Sequence, residues 1–191
     1  MRVFIAIPFD LETTAAIDNY LKPLKKRATP IKWVREENIH LTLKFIGDVE
    51  QSKLTEIRSV LSKIQHPPFQ LKLRGGGSFN TRGILSILWI GVDGDPESAL
   101  EQLVSQIETE LSSTGIEKEK RPFKAHVTVG RNKRKFNYKF VEHFIQERNS
   151  RLIHELRVKH FCLIKSQLTP SGPIYRIIDE YQLNQLDKDP L

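Results

Sequence analysis

The sequence predicts an α+β fold: a two-lobed, pseudo-symmetric body of antiparallel sheets flanked by helices, with a central cleft. Three observations point there. A short pattern, His40-Leu41-Thr42-Leu43, recurs as His126-Val127-Thr128-Val129. Strand signals follow one another across turns instead of alternating regularly with helices, which favours antiparallel pairing. Each copy of the pattern also lies near an amphipathic helical segment, so two similar halves sharing one cleft is the simplest arrangement. The 191 residues suit one domain, residues 1–191, built from two such lobes.

The elements follow in order. Residues 2–7 are apolar and short, and read as a first strand. Residues 11–27 carry Ile17, Tyr20, Leu21 and Leu24 at helical spacing, with Pro23 expected to end or kink the helix. Residues 31–35 read as a short strand. The first motif strand spans about 39–46 and turns at Gly47-Asp48. Leu54, Ile57, Leu61 and Ile64 define a helix over 51–65, stopped by His66-Pro67-Pro68. Strands are expected at 69–74 and 84–92. Gly75-Gly76-Gly77 between them lacks the companions of a phosphate loop and reads as a bulge or tight turn. Asp95-Pro96 suits a helix start, Leu100, Leu103, Val104, Ile107 and Leu111 its buried face, and Gly115 its end. The second motif strand spans about 124–131, and a helix over 138–149 buries Phe140, Val141, Phe144 and Ile145. Two last strands, 153–165 and 174–183, are joined by the turn 168–173, and residues 187–191 are expected to fray.

Composition bounds the function. No apolar run approaches the roughly 20 residues that span a bilayer, and no cleavable leader is evident. One cysteine, Cys162 in an apolar neighbourhood, excludes an intrachain disulfide and a multi-cysteine metal site. A cytoplasmic, monomeric protein is expected. The net charge of +7 is concentrated: residues 117–139 hold nine basic and two acidic residues, and they surround His126. Such a collar suits a polyanion, RNA or a nucleotide, or else is a solvated basic loop.

Alternation places Leu41 and Leu43 in a core, with His40 and Thr42 on the other face roughly 7 Å apart. Val127 and Val129 relate to His126 and Thr128 in the same way. Two facing imidazoles can divide acid and base duty, because an ordinary histidine pKa of about 6.5 lets one be charged and one neutral. Two threonine hydroxyls, stiffened by branching at Cβ, can donate to phosphoryl oxygens. Neither motif holds the carboxylate or second histidine of common zinc motifs, so no metal and no cofactor is expected. No orienting carboxylate accompanies either threonine, which argues against a serine-type nucleophile.

These motifs resemble the 2H phosphoesterase superfamily. The wider sequence is similar to the RNA 2′,3′-cyclic phosphodiesterases, also called 2′-5′ RNA ligase-like or LigT-like proteins. The likeness runs through Arg2–Ile7, Trp33-Val34, His40–Gly47, Gly77-Ser78-Phe79, Leu88–Val92, Phe123–Arg131 and Lys165–Tyr175. Ala125 stands where members usually have proline. The resemblance implies a substrate of RNA or oligonucleotide ending in a 2′,3′-cyclic phosphate. It implies hydrolysis to a 2′-phosphate, with His40 as proton donor, His126 as proton acceptor, and Thr42 and Thr128 on the non-bridging oxygens. It leaves 2′-5′ ligation by the reverse chemistry, or RNA-end binding without catalysis, as alternatives. Lys44, on the histidine face by alternation, is expected to reach a phosphate. Arg131 falls on the Val127 and Val129 side, and reaches the cleft only if the strand bends at Gly130. Phe45 alternates with Leu41 and Leu43 and is expected in the core, although Phe45 or Phe79 could stack a terminal base. Tyr175 and Ser166 match the family pattern. His66, His143, His154 and His160 read as structural or surface residues.

Overall fold

The computed structural model describes residues 1–28, 30–81, 84–95, 99–132, 139–148, 150–170 and 172–184. Its strands are β1 (Arg2–Pro8), β2 (Lys32–Trp33), β3 (His40–Asp48), β4 (Phe69–Thr81), β5 (Ile84–Asp95), β6 (His126–Arg131), β7 (Leu152–Val158), β8 (His160–Thr169) and β9 (Gly172–Gln182). The helices are α1 (Leu11–Lys25), α2 (Gln51–Leu61), α3 (Ala99–Ser112) and α4 (Lys139–Glu147). The expected α+β class holds. One sheet has the order β3-β1-β8-β9 and the other β2-β6-β5-β4-β7, and every pairing is antiparallel.

The pseudo-symmetry is visible in the chain path. In β1–α1–β3, a strand leads through a helix to an antiparallel neighbour that carries a motif, and β5–α3–β6 does the same. The Asp10 carboxylate opens α1 by accepting from the Thr13 amide at 2.8 Å. Pro23 lies in the last turn of α1, which ends at Lys25. The buried face expected for α3 is observed, and so is that of α2 except that the helix ends at Leu61 and leaves Ile64 beyond it, half-buried. Gly115, with a φ of +83°, follows α3 in the left-handed region that glycine tolerates. The Asp95-Pro96 helix start falls at 96–98, outside the described residues.

The lobes are interleaved, not sequential. β4 follows the first motif strand yet joins the second sheet. The single strand expected over 153–165 is two strands, β7 and β8, in different sheets. The chain crosses at Lys159. No glycine, proline, asparagine or aspartate marks that break in the sequence. The expected 69–74 and 84–92 strands are also longer, and Gly75–Gly77 lie inside β4, where the register with β5 shifts between Arg74 and Gly77.

One contiguous core joins the lobes. It takes Val3, Ile5, Ile7, Phe161 and Leu163 from the first sheet and Leu71, Leu73, Leu88, Ile90, Val127 and Val129 from the second. Burying each such aliphatic or aromatic side chain is worth about 1.5–3 kcal/mol. Phe4, Ala6, Cys162 and Ile164 form a separate cluster on the other face of the first sheet.

Both motif strands break strict alternation at the same place. Ala6 pairs with Thr42 and Ile5 with Lys44, so Leu43 is an extra residue on β3. Trp89 pairs with Thr128 and Leu88 with Gly130, so Val129 is extra on β6. These are β-bulges, and each turns the following residues over. The burial sequence from His40 to Phe45 matches that from His126 to Arg131 position by position.

The bulge corrects two expectations. Lys44 points inward, away from the histidine face. Its Nζ meets Glu108 Oε2 of α3 at 2.8 Å and donates to the Glu117 carbonyl at 2.8 Å. Phe45 is 66% exposed and lies on the histidine face. Lys44 therefore ties the first motif strand to α3 and to the connector that leads into the second. The change Lys44→Met strands the nearly buried Glu108 carboxylate. Urea unfolding is expected to show a loss of about 3 kcal/mol, the low end for breaking a buried pair. Lys44→Met/Glu108→Leu is expected to recover most of it.

Candidate active site

The two histidines are held alike. His40 Nδ1 lies 2.8 Å from the Asn38 carbonyl, and His126 Nδ1 lies 2.7 Å from the Lys124 carbonyl. A carbonyl only accepts, so each Nδ1 carries the hydrogen. Each Nε2 is then the basic nitrogen of the neutral ring, and it has no hydrogen-bond partner among the described residues. The carbonyl used is in both cases that of the residue two positions upstream, so the strand entry itself fixes the ring. Asn38 ends a 3₁₀ turn (Glu36–Asn38), and its side-chain amide donates to the Pro173 carbonyl at 3.1 Å. The entry to β3 is thereby tied to the start of β9. Nothing in the sequence pattern marked Asn38.

Aromatic rings flank both imidazoles. The Phe4 and Tyr175 rings lie 5.0 and 5.3 Å from the His40 ring. The Phe79 and Trp89 rings lie 5.2 and 6.4 Å from the His126 ring. Trp89 lies flat over Gly77, where an added Cβ would come within 2.1 Å of the indole ring. That explains the glycine better than a turn does. The Lys124 ammonium sits 5.2 Å from both the Phe79 and the Trp89 ring. Phe4 and Trp89 escaped notice because β1 and β5 are apolar on both faces, so alternation gave no signal.

The bulge at Val129 brings Arg131 onto the histidine face, the alternative that required a bend at Gly130. Gly130 itself faces inward, where an added Cβ would meet Ile31 Cγ2 at 2.6 Å. Arg131 is exposed, and its charge acts on both His40 and Tyr175, although β6 belongs to the other sheet. β3 and β6 lie against each other where the lobes meet. Burial pushes the His40 pKa below 6.5, the hydrogen bond to Asn38 pulls it back, and Arg131 lowers it again. Burial raises the Tyr175 phenol above 10.0, against the pull of Arg131 and Arg2. Thr42 and Thr128 are half-buried on the faces of their histidines. Lys133, Arg134 and Lys135 of the basic collar lie outside the described residues.

Among the described residues, one group could hold a cation: His160, Cys162 and Glu180, with ligand atoms within 4.8 Å of one another. It lies off the histidines, two strands from Thr42 across Ala6. Burial pushes the Cys162 thiol up to about 12, which opposes a thiolate ligand. The hydrogen-bond pattern at the two motifs is directly measurable. Long-range ¹H–¹⁵N spectra above the histidine pKa values are expected to show His40 and His126 both as Nδ1–H tautomers. An Nε2–H signal from either would break the proposed division of the ring nitrogens.

The family described as LigT like Phosphoesterase matches residues 7–89 and 90–175. An RNA 2′,3′-cyclic phosphodiesterase of Archaeoglobus fulgidus is 36% identical over 176 residues, covering 92% of this chain and 97% of that protein. One of Methanocaldococcus jannaschii is 35% identical over 181 residues, covering 95% and 100%. In structure, a Thermus thermophilus protein superimposes with a TM-score of 0.77 at 23% identity, covering 97% of this chain and 100% of that one. Escherichia coli LigT does so with a TM-score of 0.77 at 22% identity, covering 96% and 98%. On sequence match, and with a fold to agree, the chain belongs to the LigT-like phosphoesterase family.

Proposed function

We propose that this protein hydrolyses RNA 2′,3′-cyclic phosphodiester ends to 2′-phosphomonoesters by general acid–base catalysis. The observation that carries this reading is the pair of identically tethered imidazoles, each with Nε2 free, in a chain of this family. Relatives that cover nearly the whole chain are named for that activity. E. coli LigT, alike in fold, has been solved with 3′-AMP. One chain supplies both histidines, so the reading needs no second copy, and a cytoplasmic monomer remains its natural setting. No helix among the described residues is long and apolar enough to cross a membrane.

In this scheme water attacks phosphorus and the P–O3′ bond breaks. His126 Nε2 takes the proton of the water, and His40 Nε2–H gives one to the departing O3′. The phosphate stays on O2′. Thr42 and Thr128 donate to the non-bridging oxygens, and Arg131 adds positive charge there. Phe45 and Tyr175 offer faces on which the terminal base could stack. Lys44 has no part, since its ammonium is engaged with Glu108.

The environment of His40 makes the assignment testable. A proton donor must be charged, and burial together with Arg131 disfavours the charged ring. As donor, His40 makes kcat/KM fall as pH rises through its pKa, which lies below 6.5 in the free enzyme. Arg131→Gln removes a charge that opposes imidazolium and raises that pKa. The alkaline limb of the kcat/KM profile is therefore expected to move to higher pH. Movement of the acidic limb instead would exchange the two histidine roles. His40→Ala and His126→Ala are each expected to lower kcat by about 10²–10⁴-fold. Assays with oligonucleotides ending in a 2′,3′-cyclic phosphate check this, with product analysis for a 2′-phosphate. Turnover is expected to persist in excess chelator, and its loss there with recovery on added zinc would sink the metal-free scheme.

A further inference from the structure

A backbone carbonyl orients a ring only as well as its own residue is fixed. Among the described residues the Nδ1 of each motif histidine meets such a carbonyl and no carboxylate. The residues that carry these carbonyls, Asn38 and Lys124, both stand just outside the ladders. Asn38 closes the 3₁₀ turn before β3, and Lys124 lies in the irregular segment before β6. Sheet pairing therefore holds neither of them, yet the hydrogen bond each accepts decides which ring nitrogen keeps its hydrogen.

Both are held by their own side chains. The Asn38 amide donates to the Pro173 carbonyl at 3.1 Å, and two residues further along β9 the Tyr175 ring stands edge-on to the His40 ring at 5.3 Å. The Lys124 ammonium lies 5.2 Å from the centres of both the Phe79 and the Trp89 rings. Those rings are 5.5 Å apart and are the ones that flank His126, at 5.2 and 6.4 Å. In each copy, then, the side chain that anchors the carbonyl returns to the structure that walls the imidazole. The path closes on itself: carbonyl to ring, ring to aromatic wall, wall to the side chain of the residue that carries the carbonyl. The chemistry differs, an amide–carbonyl hydrogen bond in one copy and a cation–π contact in the other. Two unlike side chains serving one geometry point to a shared role. Lys124 belongs to the basic collar by sequence, but its ammonium already has a partner within the protein.

We propose that Asn38 and Lys124 are positioning residues: their side chains fix the carbonyls that orient His40 and His126, and Lys124 acts through its own backbone and not on the RNA. The catalytic consequence rests on the acid–base reading above, whereas the anchoring does not.

Lys124→Met and Asn38→Ala test this in the full-length protein. Methionine keeps an apolar stem over the rings and removes the cation, and Lys124→Arg keeps the cation. Long-range ¹H–¹⁵N spectra without substrate are expected to show the Nε2–H tautomer of His126 rising in Lys124→Met by about two- to fivefold, the worth of an exposed cation–π contact, with His40 unchanged. Asn38→Ala is expected to raise that of His40 by about two- to tenfold, the worth of one hydrogen bond, with His126 unchanged. The undisturbed histidine in each sample reports an intact fold. On oligonucleotides ending in a 2′,3′-cyclic phosphate, kcat is expected to fall by similar factors with KM held, and Lys124→Arg is expected to restore both spectrum and kcat. A raised KM with the His126 spectrum and kcat unchanged would make Lys124 an RNA contact and overturn its positioning role. An unchanged His40 spectrum in Asn38→Ala would overturn that of Asn38, and shifted spectra with kcat unchanged would overturn the catalytic part. Should the wild type leave cyclic ends intact, the proposed function fails while the spectra still decide the anchoring.

Discussion

Each motif strand carries an extra residue directly after its threonine, Leu43 on β3 and Val129 on β6, and the cleft depends on that surplus. A strand offers alternate side chains to one face, so His and Thr at two-residue spacing is the most that a regular ladder gives. The bulge resets the alternation and adds a further side chain to the same face: Phe45 in one copy, Arg131 in the other. It also sends the intervening residue inward. There the two copies diverge. Gly130 leaves room for Ile31, whereas Lys44 extends to Glu108 and the Glu117 carbonyl. One backbone device, used twice, thus yields an aromatic and a cation on the cleft side and a latch on the inner side.

The interleaved chain path makes the two halves interdependent. β4 leaves the first motif to build the second sheet, and β8 returns from the second sheet to line the first. Asn38 ties the strand entry of His40 to β9, at the far end of the sequence. Lys44 binds the connector that precedes His126. Neither histidine is therefore placed by its own half alone. Such cross-bracing holds side chains on rigid strands within the narrow tolerance that positioned proton transfer requires.

Much of this was legible in the sequence. The motif strands, four helices and their buried faces follow from periodicity, because one buried face per element leaves a clear period of 3.6 or 2. The α+β class followed from turns between successive strands. The failures share one cause: a local feature that periodicity cannot express. The β7–β8 break is invisible because no turn-forming residue stands between Leu152 and Lys165. The bulges are invisible because nothing in Leu43-Lys44 or Val129-Gly130 announces an extra residue, apart from the glycine. Strict alternation consequently assigns Lys44 and Phe45 to each other's faces. The aromatic walls from Phe4 and Trp89 come from strands with no polar face to orient them.

The near-identity of the two motifs raises a question that only their surroundings answer: why would two equal imidazoles behave differently? Their tethers are the same, a carbonyl two residues upstream. Their walls are not. His40 lies between Phe4 and Tyr175 and feels Arg131 from across the cleft, and burial and charge both favour its neutral form. A neutral ring is a poor donor until something compensates for the arginine. An anionic phosphodiester seated between Arg131 and His40 does so, because its charge offsets the guanidinium and attracts a proton to the ring. On this argument the donor is charged chiefly when substrate is present. In the proposed scheme the free site holds its acid in reserve, chiefly because the His40 ring is buried and in smaller part because a cation of the other motif faces it.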